Sequence, residues 1–253
     1  MKTFHLSLGI GLIAILSMIS LFIGAGDITP ASLFTDPDMR DIFFISRVPR
    51  TLSLLLAGGA ISVAGLIMQL LTQNRFVEPS LAGTTQSASL GLLVVMLLFP
   101  AAGIFTKMMV ATVFALLGTV LFMLLLQRIA LKTALIVPLV GIMLSAVIGA
   151  LTIFLAVYFD LLQSLDAWTS GDFSSVLQGR YELLWLVGAL ALMACWVADS
   201  FTVAGMGREF SINVGLNYRK VMIIGLSIIA LISGVVVSVV GALPFLGLIV
   251  PNL

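Results

Sequence analysis

The chain has 253 residues, of which 61% are hydrophobic and 9% are charged, and its formal net charge at pH 7 is +1. Soluble domains carry about a quarter charged residues, so this composition excludes a soluble globular protein and predicts helices that cross a lipid bilayer. The balanced charge and the lack of a basic block exclude a nucleic-acid-binding protein. The single cysteine, Cys195, excludes an internal disulfide.

Apolar segments divide the chain into helices of membrane-spanning length. A helix needs about 20 apolar residues to cross a bilayer. Six candidate spans are Leu6–Ile23, Leu52–Leu71, Ser87–Phe105, Met108–Leu126, Ala134–Phe159 and Leu183–Ala198. A signal peptide is the alternative for the first segment, but Gly24-Ala25-Gly26-Asp27 makes a weak cleavage site and favours an uncleaved span.

The last apolar run, Val221–Val250, is too long for one ordinary crossing. A glycine and a proline within Gly241–Gly247 can break a helix, so we expect a seventh span to end near Val240 and an eighth to begin near Leu243. The eighth span has no complete crossing before the last residue. The sequence therefore predicts an all-α polytopic membrane protein, a bundle of seven complete transmembrane helices and the start of an eighth. We expect one transmembrane domain over residues 1–253, truncated at its C-terminus.

Lysine and arginine residues in the short loops predict the orientation of the bundle. With the N-terminus in the cytoplasm, the inner loops hold Lys2, Arg75, Arg128, Lys132, Arg208, Arg219 and Lys220, and the outer loops hold Arg40, Arg47, Arg50, Lys107 and Arg180. The excess on the inner side favours a cytoplasmic N-terminus. Most of the acidic residues fall in the outer loops, which sharpens the contrast.

Small residues at helical spacing indicate faces where membrane helices can approach closely. Gly141, Ser145 and Gly149 lie four residues apart in the fifth predicted span and share one face. Packing inside the bundle is one interpretation of this stripe. A face at a subunit boundary or along a transport pathway is the other.

Motifs for catalysis and nucleotide binding are missing from the sequence. It has no P-loop, no HExxH or GxSxG motif, and a single histidine, His5. This argues against an intramembrane enzyme. No charged residue lies inside a predicted span, which argues against a proton-driven carrier. A secondary transporter or channel without an ATPase partner stays open as an alternative.

The longest internal polar loop, Asp199–Lys220, joins the sixth and seventh spans on the predicted inner side. It mixes charged residues with glycines around a predicted short helix, Arg208–Val214. Such a loop can dock a soluble partner, and it can equally be a plain solvated connection.

Four motifs in chain order resemble those of the iron-siderophore and vitamin B12 permeases of ATP-binding-cassette importers. The first runs from Arg47 to Gly91 and matches the family pattern at Arg47, Pro49, Arg50, Gly65, Gln69, Asn74 and Pro79. The others are "WTSGDF" with Trp168 and Gly171, "GMGREFSINVGL" with Gly207 and Gly215, and "GALPFLGLIVPNL" near the end. The Asn-Arg-Phe turn and the Val-Pro-Asn ending resemble most the subgroup that serves catechol-type siderophores.

This resemblance implies a permease subunit in the bacterial inner membrane, in a family with ten spans. It implies transport of a ferric siderophore from periplasm to cytoplasm, powered by ATP bound and hydrolysed at separate cytoplasmic ATPase subunits. The chain itself would be no enzyme and would bind no cofactor or metal. The implied partners are the ATPase, a periplasmic or lipoprotein siderophore-binding protein, and a second permease subunit, identical or a sister chain.

The resemblance also implies roles for particular residues. Arg47 and Arg50 would receive acidic residues of the binding protein, whereas without the resemblance both would reach for lipid phosphates. Asn74, Arg75 and Phe76 would narrow the cytoplasmic end of the pathway, with an ordinary polar loop as the alternative. The ATPase coupling loop would include Gly205, Gly207, Arg208, Glu209, Ser211 and Gly215.

Overall fold

The computed structural model describes residues 2–24, 29, 32–128 and 136–253, without the side chains of residues 2–6 and 127. Within these ranges the fold is built from helices, and no described residue lies in a strand. The all-helical class expected from the sequence is therefore confirmed. Lys132 and the first two residues of the predicted span Ala134–Phe159 lie outside the described residues.

Thirteen α-helices are described, joined by short connections. A π-helical turn, Phe43–Arg47, leads from α3 into α4, and a 3-10 turn, Tyr181–Leu183, leads into α9. The helices are α1 Lys2–Phe22, α2 Ser32–Thr35, α3 Pro37–Ile42, α4 Val48–Thr72, α5 Thr84–Leu98, α6 Ile104–Arg128, α7 Ile136–Tyr158, α8 Leu162–Thr169, α9 Leu184–Trp196, α10 Ala198–Gly205, α11 Arg208–Asn213, α12 Tyr218–Val239 and α13 Leu246–Asn252.

Four of the described helices are long and apolar enough to cross a membrane: the continuous stretch Pro37–Thr72, Ile104–Leu126, Ile136–Tyr158 and Tyr218–Val239. A fifth crossing results if α9 and α10, which meet at a bend of 62°, form one broken span. The apolar parts of α1 and α5 are shorter, Ser7–Phe22 and Thr84–Leu98. Seven complete crossings therefore stay a prediction.

Three predicted boundaries differ from the structure. The third span was expected to reach Phe105, but α5 ends at Leu98 because Pro100 and Gly103 follow it, and a new helix begins at Ile104. The eighth span was expected near Leu243, whereas α13 begins at Leu246 after an extended turn. The predicted loop after the sixth span is largely helical, since α10 fills its first part.

The centre of the bundle is α12, which packs against α4, α5, α6 and α9. Its close approach to α6 depends on Gly234, because a Cβ there would overlap Thr112. A glycine likewise allows α5 and α6 to approach closely at Gly118, where a Cβ would overlap Ser87. Small residues thus set the helix–helix distances in a setting where lipid supplies no hydrophobic drive for association.

Candidate functional site

The predicted functional residues lie at two opposite ends of the bundle. At one, the Arg50 end, α4 begins and α12 finishes, and the segment 169–180 runs between them through hydrogen bonds from Gln178 N to Ile45 O and from Arg180 to Ser238 O. At the other, the Asn74 end, α4 finishes beside α10 and α11. The structure separates the sequence-predicted docking residues from the gate and coupling residues, which lie together at the Asn74 end.

Arg47 is buried rather than presented on the surface, with only 6% of its side chain exposed. Its Nη1 donates to the carbonyl of Ile23 at 3.0 Å, just past the end of α1. Gly24 leaves room for the guanidinium, because a Cβ there would overlap it. Arg47 therefore ties the end of α1 to the start of α4, together with the Ser20–Thr51 hydroxyl pair at 3.0 Å.

Arg50, about one helical turn further on, is half-exposed and close enough to Asp172 in the segment 169–180 to act on its charge. Its charge acts on Asp172, which accepts hydrogen bonds from the hydroxyl of Ser174 at 2.7 Å and from its backbone N–H at 2.8 Å. The hydroxyl bond, the backbone bond and the charge of Arg50, in that order, hold the pKa of Asp172 below its ordinary value. Arg50 makes no ion pair with a described residue.

A cation–π cluster lies beside this surface. Arg180 lies over the ring of Trp168 in α8, 4.6 Å from its centroid. Lys107 of α6 lies over the same ring at 4.8 Å. Burial lowers the pKa of Arg180, since the half-buried guanidinium is partly withdrawn from water. Its Nη2 donates to Ser238 O at 3.4 Å, where a cation complements the negative end of the α12 dipole.

The spacing of the "WTSG" motif has a packing reason. The segment after α8 pairs with the turn after α12, through Ala242 N to Thr169 O at 2.8 Å and Asp172 N to Val240 O at 3.1 Å. A Cβ at Gly171 would overlap Ala242 O, and a Cβ at Gly241 would overlap Ser170 O. The two backbones can pair this closely only because both positions are glycine.

Residues 73–83, the return segment, lead the chain from α4 back into the bundle. Gln73 ends α4 in the left-handed conformation with φ of 52°, and Asn74 N donates to Gln69 O at 3.0 Å, so the last turn is closed in the manner of a Schellman cap. The Asn74 side chain accepts from Phe76 N at 2.9 Å. Asn74 is 5% exposed and Phe76 is 56% exposed, so the predicted gate turn is a fixed backbone that presents an aromatic ring.

Glu78 is buried at the level of the middle of α4, although it lies outside every predicted span. It lines a small internal cavity with Ile61, the central part of α4, and Ser233 of α12. Only 1% of Glu78 is exposed. The sequence places no charged residue inside a predicted span, and this carboxyl comes instead from the return segment, which folds inward between the helices.

The small-residue stripe of α7 packs against the return segment. A Cβ at Gly141 would overlap Leu81 O, and Ser145 Oγ donates to the same carbonyl at 3.1 Å. A Cβ at Gly149 would lie 3.5 Å from Gln86 of α5, in ordinary contact. These contacts support the packing interpretation of the stripe and leave the subunit-boundary interpretation a prediction.

Two short helices, α10 and α11, form the coupling-loop candidate at the Asn74 end. Gly205 lies against Leu70 of α4, where a Cβ would be 3.1 Å from the side chain, and Gly207 adopts φ of 108° between the two helices. Gly215 ends the loop with φ of 85°. Exposed side chains on the outside of this pair are Met206, Arg208, Glu209, Phe210, Ile212 and Val214. The helices α10 and α11 therefore form a surface on which charged and apolar side chains are exposed side by side.

Ser211 holds the two short helices together and is completely buried. Its hydroxyl lies 2.6 Å from Gly207 O and 3.0 Å from Val203 O. We expect Ser211→Ala to destabilise this loop by about 1 kcal/mol, because the bond from the hydroxyl is lost. Hydrogen exchange of the α11 amides should then be about fivefold faster.

Thr202→Ala is the matched control for this prediction. The exposed Thr202 hydroxyl donates to Ala198 O at 3.0 Å within α10 and joins no second helix. Its removal should leave α11 exchange unchanged. Equal exchange in the Ser211→Ala and native proteins would contradict the assigned role of Ser211.

The sequence pointed to most of these residues but missed Glu78 and the partners of Trp168. A lone acid in the short, apolar, proline-containing linker Val77–Ala82 is the one signal that marks Glu78. Nothing in the linear sequence says that this linker folds inward. Lys107 and Arg180 are separated from Trp168 by whole elements, so their convergence needs the tertiary fold.

The described helices define the class of the protein as an all-helical one with several helices suited to a membrane. The chain belongs to the FecCD transport family, whose sequence profile matches residues 12–253. The resemblance inferred from the four motifs is thereby confirmed.

Known relatives are similar along most of the chain. The petrobactin import system permease protein YclN of Bacillus subtilis is 47% identical, over 96% of this chain and 77% of its own length. The petrobactin import system permease protein FatD of Bacillus anthracis is 45% identical, over 95% of this chain and 71% of its own length. The ferric-anguibactin transport system permease protein FatD of Vibrio anguillarum is 34% identical, over 92% of this chain and 75% of its own length.

A solved structure of a metal-chelate type ABC transporter in an inward-facing conformation has a similar fold. Its TM-score is 0.80, and the match covers 98% of this chain and 79% of that chain at 20% sequence identity. The similarity supports the helical architecture described above.

Proposed function

We propose that the chain is the transmembrane permease subunit of an ATP-binding-cassette importer that moves a ferric siderophore into the cytoplasm. The observation that carries this proposal is the 47% identity to a petrobactin import permease over 96% of the chain. A second petrobactin permease at 45% identity points to the same substrate class. ATP hydrolysis would be the work of a partner subunit, since a permease supplies the path and the partner supplies the energy.

The pair α10–α11 is proposed as the contact for the ATPase subunit. Its exposed apolar side chains, with Phe210 47% and Ile212 53% exposed, suit insertion into a groove of a soluble partner. Arg208 and Glu209 would add polar contacts at the edge. Because Gly205 lies against α4, a push on this loop would reach the helix that ends in the gate turn.

The surface around Arg50 is proposed as the docking site for the siderophore-binding protein. Arg50 is half-exposed and free of ion pairs with described residues, so its guanidinium can pair bidentately with a carboxylate of the partner. Arg47 is proposed to support this surface from beneath, since its guanidinium is occupied at Ile23. Of the two arginines that the resemblance implies for docking, Arg50 alone is proposed to contact the binding protein.

Asn74, Arg75 and Phe76 are proposed to narrow the pathway at the cytoplasmic end. The Asn74 side chain fixes the turn, and the exposed ring of Phe76 supplies an apolar barrier. Arg75 is exposed and its carbonyl accepts from Asn252. Opening would require this turn to shift with the helices that hold it.

The proposal also includes the topology expected from the sequence. The N-terminus and the α10–α11 pair would face the cytoplasm, and the Arg50 end would face outward. The chain would act as one transmembrane domain of a ten-span family, and a second permease subunit would complete a cavity wide enough for an iron chelate. Rigid-body motions of helices, driven by the ATPase pair, would alternate access to it.

Uptake of radioactive iron tests the function. Cells with the gene deleted, and the same cells complemented with it, would be supplied with ferric petrobactin, ferric anguibactin and ferric citrate in separate assays. We expect a defect for one siderophore class that complementation restores and that inactivation of the partner ATPase reproduces. A defect insensitive to the ATPase would return the alternative of a secondary transporter or channel. No defect for any chelate would refute the proposed function.

A further inference from the structure

Glu78 joins two segments that are far apart in the sequence. Its Oε1 accepts a hydrogen bond from Phe245 N at 2.8 Å and another from the hydroxyl of Ser80. Phe245 has φ of 63° and directly precedes α13, so the carboxyl caps the start of this helix. A Cβ at Gly247 would lie 3.3 Å from Glu78 Oε2, which places the carboxyl against the first turn of α13.

The return segment contacts α13 at a second point, Asn252. Asn252, the last residue of α13, donates from Nδ2 to Arg75 O at 3.1 Å and to Leu248 O at 2.7 Å. The return segment therefore contacts α13 at two points, before its first residue and at Asn252. Arg75 lies in the gate turn and Glu78 lies three residues further on, so one contact is made within the gate turn and the other just after it.

The two contacts differ in their exposure to water. Asn252 and Arg75 are exposed, whereas Glu78 is 1% exposed and makes no ion pair with a described residue. Its hydrogen bonds from Phe245 and Ser80 thus form away from water, where a bond to a carboxyl is stronger and its loss more costly than on the surface. The buried contact is therefore the stronger of the two hydrogen-bonded links between α13 and the return segment.

We propose that Glu78 is a positioning residue that clamps the return segment to α13, so that the gate turn and α13 move as one body during transport. Glu78 need not touch the substrate for this role. The proposal rests on the proposed import function for its uptake readout. Its crosslinking readout is independent of what is transported.

Substitutions at Glu78 test the clamp in the assembled importer, reconstituted in vesicles with its ATPase and binding protein. Glu78→Ala removes both bonds and should lower iron-chelate uptake about tenfold, whereas Glu78→Gln keeps an oxygen acceptor for Phe245 N and should lower it less than about threefold. Glu182→Gln is the matched control. Glu182 accepts a backbone N–H from Gly179 at 2.7 Å on an exposed loop, and its change should leave uptake unaltered.

Crosslinking the gate turn to α13 distinguishes the proposed clamp role of Glu78 from a role in folding alone. In a Cys195→Ser background, which removes the single native cysteine, the pair Arg75→Cys and Asn252→Cys would be joined by a short bis-thiol reagent. We expect the link to leave uptake within about twofold of the same protein before linking, and to restore most of the uptake lost in Glu78→Ala. If transport requires the gate turn and α13 to move together, the covalent link can replace the hydrogen bonds of the Glu78 carboxyl.

Three results would overturn the proposal. These are normal uptake in Glu78→Ala, a link that stops uptake in the protein with Glu78 intact, and a link that forms but fails to restore Glu78→Ala. If Glu78→Ala does not assemble, the effect of the link in the protein with Glu78 decides alone. If the native importer carries no iron chelate, the proposed function fails. The linking yield with and without a non-hydrolysable ATP analogue then tests the clamp, which requires a constant yield.

Discussion

Replacing Gly65 by alanine is expected to destabilise the protein by about 1–3 kcal/mol, as an over-packed helix contact does. A Cβ at Gly65 would overlap the carbonyl of Gly247, so α4 and α13 touch through their backbones. Neither partner can yield cheaply, because the overlapping atoms of α13 belong to the main chain. The turn before α13 is also bonded to Glu78, so a displaced α13 would strain that bond as well.

Gly59→Ala is the control for this expectation, in the same helix and with the same change of one methyl group. Gly59 is exposed and has nothing within 4 Å of its Cβ position. Alanine there gains up to about 1 kcal/mol of helix propensity. Thermal unfolding in detergent should show a lower midpoint for Gly65→Ala than for the native protein. The midpoint of Gly59→Ala should not fall below the native one. Equal midpoints for the two variants would disprove the backbone contact.

Replacing Arg50 alone is expected to weaken binding of the partner protein, whereas replacing Arg47 alone is expected to lower the stability of the fold. Arg50→Ala should weaken the affinity of the binding protein about tenfold, or ~1.4 kcal/mol, because it removes an accessible guanidinium. Its effect should shrink in high salt, since the charge is partly exposed. Arg47→Ala should instead lower the free energy of unfolding by about 1–3 kcal/mol, since it removes a buried charged donor from Ile23 O.

Affinity and stability are measured on the same purified proteins, by titration of the binding protein and by thermal unfolding. Arg40→Ala is the control for a change of charge on the same side, because Arg40 is exposed in the short helix α3. Full affinity in Arg50→Ala would move docking elsewhere on this surface. Normal stability in Arg47→Ala would show that the contact with α1 contributes little to the free energy of unfolding.

The sequence by itself determined the class of the protein, the positions of its long helices and its family. Spans such as Met108–Leu126 were predictable because about 20 consecutive apolar residues have few other stable arrangements. The motifs around Arg47, Trp168, Gly207 and Gly241 identified the family because their order along the chain is preserved. The break near Gly241 was visible because glycine and proline act locally on the backbone.

Only the tertiary structure decided which polar groups lie inside the bundle. The sequence predicts Arg47 to be a surface cation, yet its guanidinium is buried because the end of α1 lies against the start of α4. Glu78 reads as a loop residue, yet it is buried because the return segment folds inward and meets a turn that is 167 residues away along the chain. Helix length and composition are local properties of a sequence, whereas the partners of a buried charge depend on contacts between distant segments.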